Sequence, residues 1–259
     1  MTRWVVLLLL HLAPWSLHGE VCFFSGRAVD AKGRLLFIED YIVEKEGDKI
    51  LKVETKFTSP EGAKLGLMSS HFENANFLPK VLFQKTQSSL EYGVHLFEKS
   101  IELFKKNSSA APKKKKIAMQ ENMVAGHGFY FYILDKLEML LQGEKHQMVF
   151  VQPNRLDCYT FNMKATSLKT PKDHIQVILT IDNPLLKKLV PEIEIVIDRS
   201  TRSLVSYKGL SGFLSENASL KTISIQYSAL KTLDESCQNI ALQAPTDSII
   251  PSIQPSSTN

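Results

Sequence analysis

Histidine is the side chain best suited to acid–base chemistry near neutral pH and to zinc binding. Five histidines follow residue 19, and they are His71, His95, His127, His146 and His174. None stands in a His-Glu-x-x-His pair or in a close cluster with cysteine, the spacing that zinc sites usually show. His127 lies between two glycines, a mount that could present a side chain, but an ordinary loop histidine is the better interpretation. We therefore predict no metal site and no cofactor.

Nucleophilic residues also lack the surroundings that catalysis needs. Hydrolases mount their serine in Gly-x-Ser-x-Gly, whereas this chain has only Gly209-Leu-Ser211-Gly212, which we interpret as a turn. Cys158 would need a histidine partner that the sequence cannot place. Glu39 and Glu44 are five positions apart on one predicted strand, so they face opposite sides and cannot act as a carboxylate pair. We predict a non-catalytic protein and assign no catalytic residue.

The three cysteines, Cys22, Cys158 and Cys237, suggest a disulfide if the protein reaches an oxidising compartment. Any two of them could pair, and three separate thiols are the open alternative. Cys22 lies very close to the predicted mature N-terminus. We therefore predict a disulfide between Cys158 and Cys237.

Alternating apolar and polar side chains recur along the chain and predict strands with one buried face. Ile193, Ile195 and Ile197, for example, alternate with acidic residues. Short turn sequences such as Asp30-Ala-Lys-Gly33 join successive strands, and links this short force antiparallel neighbours. The sequence thus predicts a mainly β fold, a meandering antiparallel sheet. Its predicted strands are 21–30, 34–45, 49–57, 64–73, 79–85, 89–98, 146–152, 156–167, 175–181, 192–198, 202–208 and 222–227.

One amphipathic helix is predicted at 129–142, with Gly143 as a left-handed C-cap. The packed face of the sheet is the only large apolar surface on which this helix could lie. We therefore predict a curved antiparallel sheet, or half barrel, wrapped around the helix. A second, short helical turn is predicted at 183–189. The apolar stripe of the long helix consists of Tyr130, Ile133, Leu134, Leu137, Leu140 and Leu141.

The first nineteen residues have the form of a secretory signal peptide. Arg3 precedes an apolar run at 4–12, and small residues lead to Gly19. The run is too short for a bilayer span, which needs about 20 apolar residues. We predict cleavage after Gly19 and a periplasmic or secreted location.

After this signal peptide we predict a single antiparallel β domain at 20–237, a polar loop within it at 105–116, and a disordered tail at 238–259. The loop ends in the lysine run Lys113, Lys114, Lys115 and Lys116, a candidate contact with an anionic membrane surface. A solvated loop is the simpler interpretation of this run. Asn107-Ser-Ser109 and Asn217-Ala-Ser219 are glycan acceptor triplets if the source is eukaryotic.

Two segments carry a resemblance to a known family. They are the strand pair at 192–207, which ends in Tyr207-Lys-Gly209-Leu-Ser211 and accompanies the helix before Gly143, and the opening Gly26-Arg-Ala-Val-Asp30 with Gly33-Arg-Leu-Leu-Phe37-Ile-Glu39. Across about 21–230 the chain resembles uncharacterised exported bacterial β-sheet proteins of the LolA/LolB-like superfamily, which includes periplasmic lipoprotein carriers. The resemblance implies a half barrel with a helix on its concave side and acyl chains in the gap. It identifies no binding residue.

We interpret the protein as an exported, non-catalytic envelope protein that binds an apolar or acyl ligand between sheet and helix. A sheet too wide for one helix to fill leaves an apolar gap, lined here by Tyr130, Ile133, Leu134 and Leu137. The alternatives are a structural or assembly component with a fully packed core, partnered by an envelope protein, and a hydrolase. A hydrolase would require His127 or His174 within hydrogen-bond reach of Cys158 or of a carboxylate in a cleft. Without residues 1–19 the formal charge of +4 falls to +3, too mild to predict nucleic-acid binding.

Overall fold

A computed structural model describes residues 20–73, 77–86, 88–107, 111–168, 173–211, 222–228 and 231–232. The helix α1 spans Gly128–Leu141, and short 3-10 turns occupy Pro153–Arg155 and Leu186–Lys188. The strands β1 to β16 are, in chain order, Glu20–Val29, Leu35–Glu46, Lys49–Thr58, Lys64–His71, Lys80–Lys85, Leu90–Leu96, Ser100–Asn107, Lys113–Ala118, Met123–Ala125, His146–Gln152, Asp157–Leu168, His174–Ile181, Ile193–Asp198, Leu204–Leu210, Thr222–Tyr227 and Lys231–Thr232.

The sixteen strands of the described ranges form one sheet. Its order from edge to edge is β8-β7-β6-β5-β4-β3-β2-β1-β15-β14-β13-β12-β11-β10-β9, and β16 pairs with β1. Strands β9 and β10 run parallel, and the other pairs are antiparallel. The predicted antiparallel meander is therefore confirmed.

The two edges of this sheet are forced close together by the chain itself. Only residues 119–122 join the edge strand β8 to the opposite edge strand β9, and a link of that length spans at most about 18 Å. Lys115 Nζ on β8 lies 2.8 Å from Asp157 Oδ1 on β11. Lys105 Nζ donates to the carbonyl oxygen of Asn154 at 3.1 Å. The sheet is thus a curved, unclosed, barrel-like surface with an inside and an outside.

Helix α1 lies against the inner face of this sheet, as predicted. Its buried residues surround the helix on most sides, because strands and loops cover it from several directions. Three of them, Gly128, Phe131 and Tyr132, fall outside the predicted apolar stripe. Gly143 has a φ of +87°, which confirms the predicted left-handed C-cap. Among the described residues no helix has the length and apolar character needed to cross a bilayer.

The predicted loop at 105–116 is wrong, because β7 continues to Asn107 and the lysine run forms most of β8. Strand β8 is an edge of the sheet, and exposed lysines on an edge oppose pairing with another chain. The predicted helical turn at 183–189 contains only a 3-10 turn. The predicted signal peptide, its cleavage site and the tail at 238–259 lie outside the described residues.

The predicted pairing of Cys158 with Cys237 is also wrong, because Cys158 is a free thiol and Cys22 is disulfide-bonded. Cys22 is fully buried on β1. The short strand β16 pairs with β1 there, with Thr232 opposite Cys22. This pairing brings the C-terminal part of the chain to Cys22, which sequence spacing could not indicate. Cys237 itself lies outside the described residues.

Replacing Cys22 with serine is expected to lower the free energy of unfolding by about 2–5 kcal/mol, because the cross-link no longer restricts the unfolded chain. Urea unfolding without reductant measures this loss. Peptide mapping without reduction is expected to find Cys22 linked to Cys237, with Cys158 open to alkylation after unfolding. Cys158→Ser is the matched control and should retain the linked peptide. An unchanged urea midpoint after reduction of the wild-type protein would contradict the prediction.

Candidate functional site

The inner face of the sheet carries polar side chains at positions where a barrel core is normally apolar. On β2 the inward positions hold Phe37, Glu39, Tyr41 and Val43 in turn. Thr55 lies opposite Tyr41 on the next strand, β3, and is fully buried. A buried polar group lowers stability unless it is hydrogen-bonded. Residues of this kind in a core therefore identify a candidate site.

Glu39 is the centre of this group, and its side chain is supported from one side. The Tyr41 hydroxyl donates a hydrogen bond to Glu39 Oε2 at 2.8 Å, and the Tyr227 hydroxyl donates to the same oxygen at 3.4 Å. Within the described ranges no hydrogen bond reaches the other oxygen, Oε1. Only 7% of Glu39 is exposed. The carboxyl group thus has one fixed oxygen and one with capacity for a further partner.

Gly26 on β1 makes this arrangement sterically possible. It lies in register with Glu39 on one side and with Tyr227 on the other, so the Tyr227 ring must pass over it to reach the carboxyl group. A Cβ atom at residue 26 would lie 2.8 Å from Tyr227 Cε1, closer than two carbon atoms can approach without displacement. The missing side chain therefore leaves the space that the ring occupies.

Aromatic rings enclose the same group. The rings of Phe24 and Tyr41 stack with centroids 4.3 Å apart, and those of Tyr41 and Tyr227 are 6.1 Å apart. This environment desolvates the carboxylate, and burial raises the pKa of Glu39 to about 7 although both tyrosine hydroxyls oppose the rise. Near neutral pH Glu39 can therefore either donate or accept a hydrogen bond.

His127 forms a second buried polar group beside the first. Its Nε2 lies 2.6 Å from Thr55 Oγ1, and its Nδ1 lies 2.8 Å from Ser70 Oγ. The Tyr41 ring contacts the imidazole edge to face, with centroids 5.9 Å apart. Hydrogen bonds thus link Ser70, His127 and Thr55, and the Tyr41 ring lies between this group and Glu39.

The contact between Ser70 and His127 does not have the properties of a nucleophile with its base. Burial lowers the pKa of His127 to about 3, whereas a general base works best with a pKa near the operating pH. Ser70 Oγ also accepts the backbone N–H of His127 at 3.3 Å. Both imidazole nitrogens bind hydroxyl groups, so the requirement for Cys158 or a carboxylate beside His127 is not met.

The other predicted candidates are scattered. His71 and His95 are exposed, and His146 lies 3.2 Å from Glu144 on the surface. His174 Nε2 is 3.8 Å from Asp198 Oδ2, but the two residues are partners in register on β12 and β13 rather than members of a cleft. In the part of the chain that the structure describes, no group of three His, Cys, Asp or Glu residues could hold a metal.

The two candidate nucleophiles are part of the packed structure. Burial raises the pKa of Cys158 to about 11, and the nearby Asp157 adds to the rise, so the thiol is a weak nucleophile. Ser211 is buried just after β14. Gly212, which completes the predicted turn, lies outside the described residues.

The predicted ligand-lining residues of α1 divide into two groups. Ile133, Leu134 and Leu137 are almost fully buried in the main core cluster, where they pack against side chains of β10–β14. Tyr130 also reaches the cluster that contains Phe24 and Tyr41, and its hydroxyl donates to the carbonyl oxygen of Arg202. Of the four predicted lining residues, Tyr130 is the one that joins the helix to the surroundings of Glu39, and its neighbour Phe131 belongs to the same cluster.

The lysine run on β8 is already engaged at three positions. Lys114 lies 2.8 Å from Glu102, Lys115 pairs with Asp157, and Lys116 Nζ lies 5.4 Å from the centroid of the Phe97 ring. These contacts reduce the positive charge that the run presents to a membrane surface.

Comparison with solved structures supports the architecture. A β-barrel-like protein of the domain of unknown function DUF1849 from Brucella abortus matches with a TM-score of 0.50 and 8% identity, over 84% of this chain and 99% of the other. The chain has a barrel-like fold of this kind. The predicted architecture, a curved sheet around a helix, is confirmed at the level of fold.

A LolA superfamily protein from Nitrosomonas europaea also matches, with a TM-score of 0.24 and 10% identity over 87% of this chain and 91% of the other. A TM-score that low does not establish a shared fold. No protein-family model and no curated protein sequence matches the chain.

Sequence reasoning missed Glu39, Tyr41, Thr55, Ser70 and Tyr227 as members of one group. A local signal did exist for Glu39, because it has the same parity along β2 as the apolar Phe37 and Val43. That parity predicts an inward-facing carboxyl group. The same parity places Thr55 with Val53 and Phe57 on β3. It also places Tyr227 with Ile223 and Ile225 on β15. No signal in the sequence indicated that these strands bring the side chains together.

Proposed function

We propose that the protein is an exported, non-catalytic binding protein whose barrel interior takes an apolar or acyl ligand with its polar end at Glu39. The observation that carries the proposal is a buried carboxyl group with one oxygen free of hydrogen bonds, enclosed by aromatic rings inside a barrel-like sheet. Apolar walls with a few convergent polar groups are typical of small-molecule sites. Export is supported by the predicted signal peptide and by the disulfide at Cys22.

The apolar part of the ligand would lie along the aromatic surfaces that meet at Glu39. On one side Tyr130 and Phe24 share a cluster with Tyr41. On the other, Phe57 and Phe83 belong to the cluster that Tyr227 contacts. The ligand would displace the contacts between these clusters rather than those of the tightly packed helix face.

A structural or assembly component with a packed core is the second candidate. It is favoured by the burial of Ile133, Leu134 and Leu137, three of the four residues predicted to line the ligand gap. The two candidates differ in whether an amphiphile stabilises the protein.

The test combines extraction and thermal unfolding. Organic extraction of the purified protein, followed by mass spectrometry, is expected to release an amphiphile. Lauric acid, lauryl alcohol and laurylamine are then added separately to the extracted protein. A bound ligand at about 100 times its Kd stabilises by about 2.7 kcal/mol, which raises the Tm of a chain of this size by about 5 °C or more.

Glu39→Gln and Glu44→Gln form a matched pair, since both residues lie on β2 but Glu44 faces outward and pairs with Lys52. The Tm rise should persist in the Glu44 variant and disappear in the Glu39 variant. Equal rises in both variants would exclude Glu39 as the anchor. No extracted amphiphile and no rise with any of the three compounds would favour the packed structural component.

A further inference from the structure

The loop between β12 and β13 holds two leucines out in solvent. Leu185 is 79% exposed and Leu189 is 70% exposed, and these are the highest values among the large hydrophobic side chains of the described residues. Each fully buried leucine contributes about 1.5–3 kcal/mol. Two such side chains on one short loop therefore form an exposed apolar surface. We name this loop, residues 183–191, the leucine loop.

The leucine loop is built to hold this conformation. Asn183 Oδ1 accepts the backbone N–H groups of Leu185 and Leu186 at 2.9 and 3.1 Å. The carbonyl oxygen of Leu186 accepts the N–H groups of Leu189 and Val190. The side chains of Leu186 and Val190 pack against the core around α1. The leucines at 185 and 189 are thus displayed by a loop that is anchored between them.

The charge on the loop is positive where the leucines are exposed. Lys187 and Lys188 lie between them and are exposed, and residues 183–191 contain no acidic side chain. Two acidic residues flank the loop: Asp182 accepts a hydrogen bond from Asn162 and Glu192 accepts one from Thr180. Exposed leucines beside lysines suit the surface of an anionic lipid bilayer, where the acyl chains are apolar and the phosphates are negatively charged.

We propose that the leucine loop docks the protein on an anionic lipid bilayer, with Leu185 and Leu189 inserted at the boundary between headgroups and acyl chains and with Lys187 and Lys188 at the phosphates. The lysine run on β8 is the rival surface, but three of its four lysines already have partners. The proposal does not depend on the interior ligand, because it rests on the outer loop alone.

Cosedimentation of the purified protein with vesicles of phosphatidylcholine and about one third phosphatidylglycerol tests this docking. The wild-type protein should bind these vesicles and be released by added salt. Leu185→Ser with Leu189→Ser should weaken binding about a hundredfold, since each leucine contributes about a factor of ten. Lys187→Gln with Lys188→Gln should weaken it about thirtyfold at low salt.

The control replaces all four lysines of β8 by glutamine, which removes more charge than the loop variant. That protein should bind within about threefold of wild type. Circular dichroism and Tm establish that each variant is folded. We expect the loop variants to fold because all four substituted side chains are exposed. Absence of wild-type binding overturns the proposal. So does wild-type affinity in the double-serine variant, or a loss that follows the β8 lysines instead.

Discussion

Glu39→Gln is expected to make the protein about 3 kcal/mol more stable at about pH 8 and to leave its stability at about pH 4 unchanged. The pKa of Glu39 is about 7 in the folded protein against an ordinary value of 4.5. Each pH unit between the two values is worth about 1.4 kcal/mol. The neutral amide removes the need to ionise a group among aromatic rings.

The sign follows from proton binding. Between pH 4.5 and about 7 the folded protein holds a proton on Glu39 that the unfolded chain has released, so its stability falls as the pH rises through this range. The stabilising contribution of Glu39 is fully present below pH 4.5 and is lost above about pH 7. Urea unfolding of both proteins at several pH values measures the difference.

Glu44→Gln on the same strand is the control, and its stability difference from wild type should be small and nearly constant with pH. The difference between Glu39→Gln and wild type, rather than the wild-type profile, is the informative quantity. A difference that does not change with pH would show that Glu39 is solvated in the folded protein.

His127→Leu is expected to destabilise the protein by about 3 kcal/mol at about pH 8. Leucine replaces much of the imidazole volume but leaves the buried hydroxyls of Thr55 and Ser70 without their ring-nitrogen partners, and each such loss costs about 1–3 kcal/mol. Chemical denaturation measures the effect. His95→Leu is the control, because His95 is exposed and its replacement should cost about 0.5 kcal/mol or less.

The loss should shrink at low pH. The pKa of His127 is about 3 when folded against an ordinary value of 6.5, so the unfolded chain binds the proton first as the pH falls below 6.5. Wild type therefore loses stability toward pH 3 through His127, and the leucine variant does not. At about pH 4.5 the two proteins should be nearly equal in stability.

Thr55→Val tests whether the hydroxyl group is the cause. In the His127→Leu background this substitution should raise the free energy of unfolding by about 1 kcal/mol, because a methyl group replaces a hydroxyl that has lost its partner. In wild type it should be destabilising. Equal effects in the two backgrounds would mean that Thr55 and His127 are not coupled.

Glu39 and His127 have opposite effects on how the stability of the wild-type protein depends on pH. Glu39 lowers its stability as the pH rises from 4.5 to about 7, while His127 lowers it as the pH falls from 6.5 to about 3. The two buried groups partly cancel over their shared range. Substituting either one should therefore expose the pH dependence of the other.

Strand and helix positions were predictable because their signals are local. Alternation with a period of two predicted twelve of the sixteen described strands and missed β7, β8, β9 and β16. Apolar spacing predicted α1 to within one residue at each end. The errors occurred where the local composition is typical of one kind of structure but the segment forms another in the folded protein. The lysine run looked like a loop because it is polar throughout, but an edge strand that must resist pairing has the same composition.

The sequence by itself determined the mainly β fold, the central helix and the absence of close metal-ligand spacings, all of which depend on residues that are neighbours in the chain. Only the tertiary structure decided which face of each strand lies inside, and hence that Glu39 meets Tyr227 across 188 positions. The tertiary structure also decided that β16, near the C-terminus, pairs with β1 at Cys22. These contacts arise because β1 pairs with β2 on one side and with β15 and β16 on the other, so the two ends of the chain meet in the middle of the sheet.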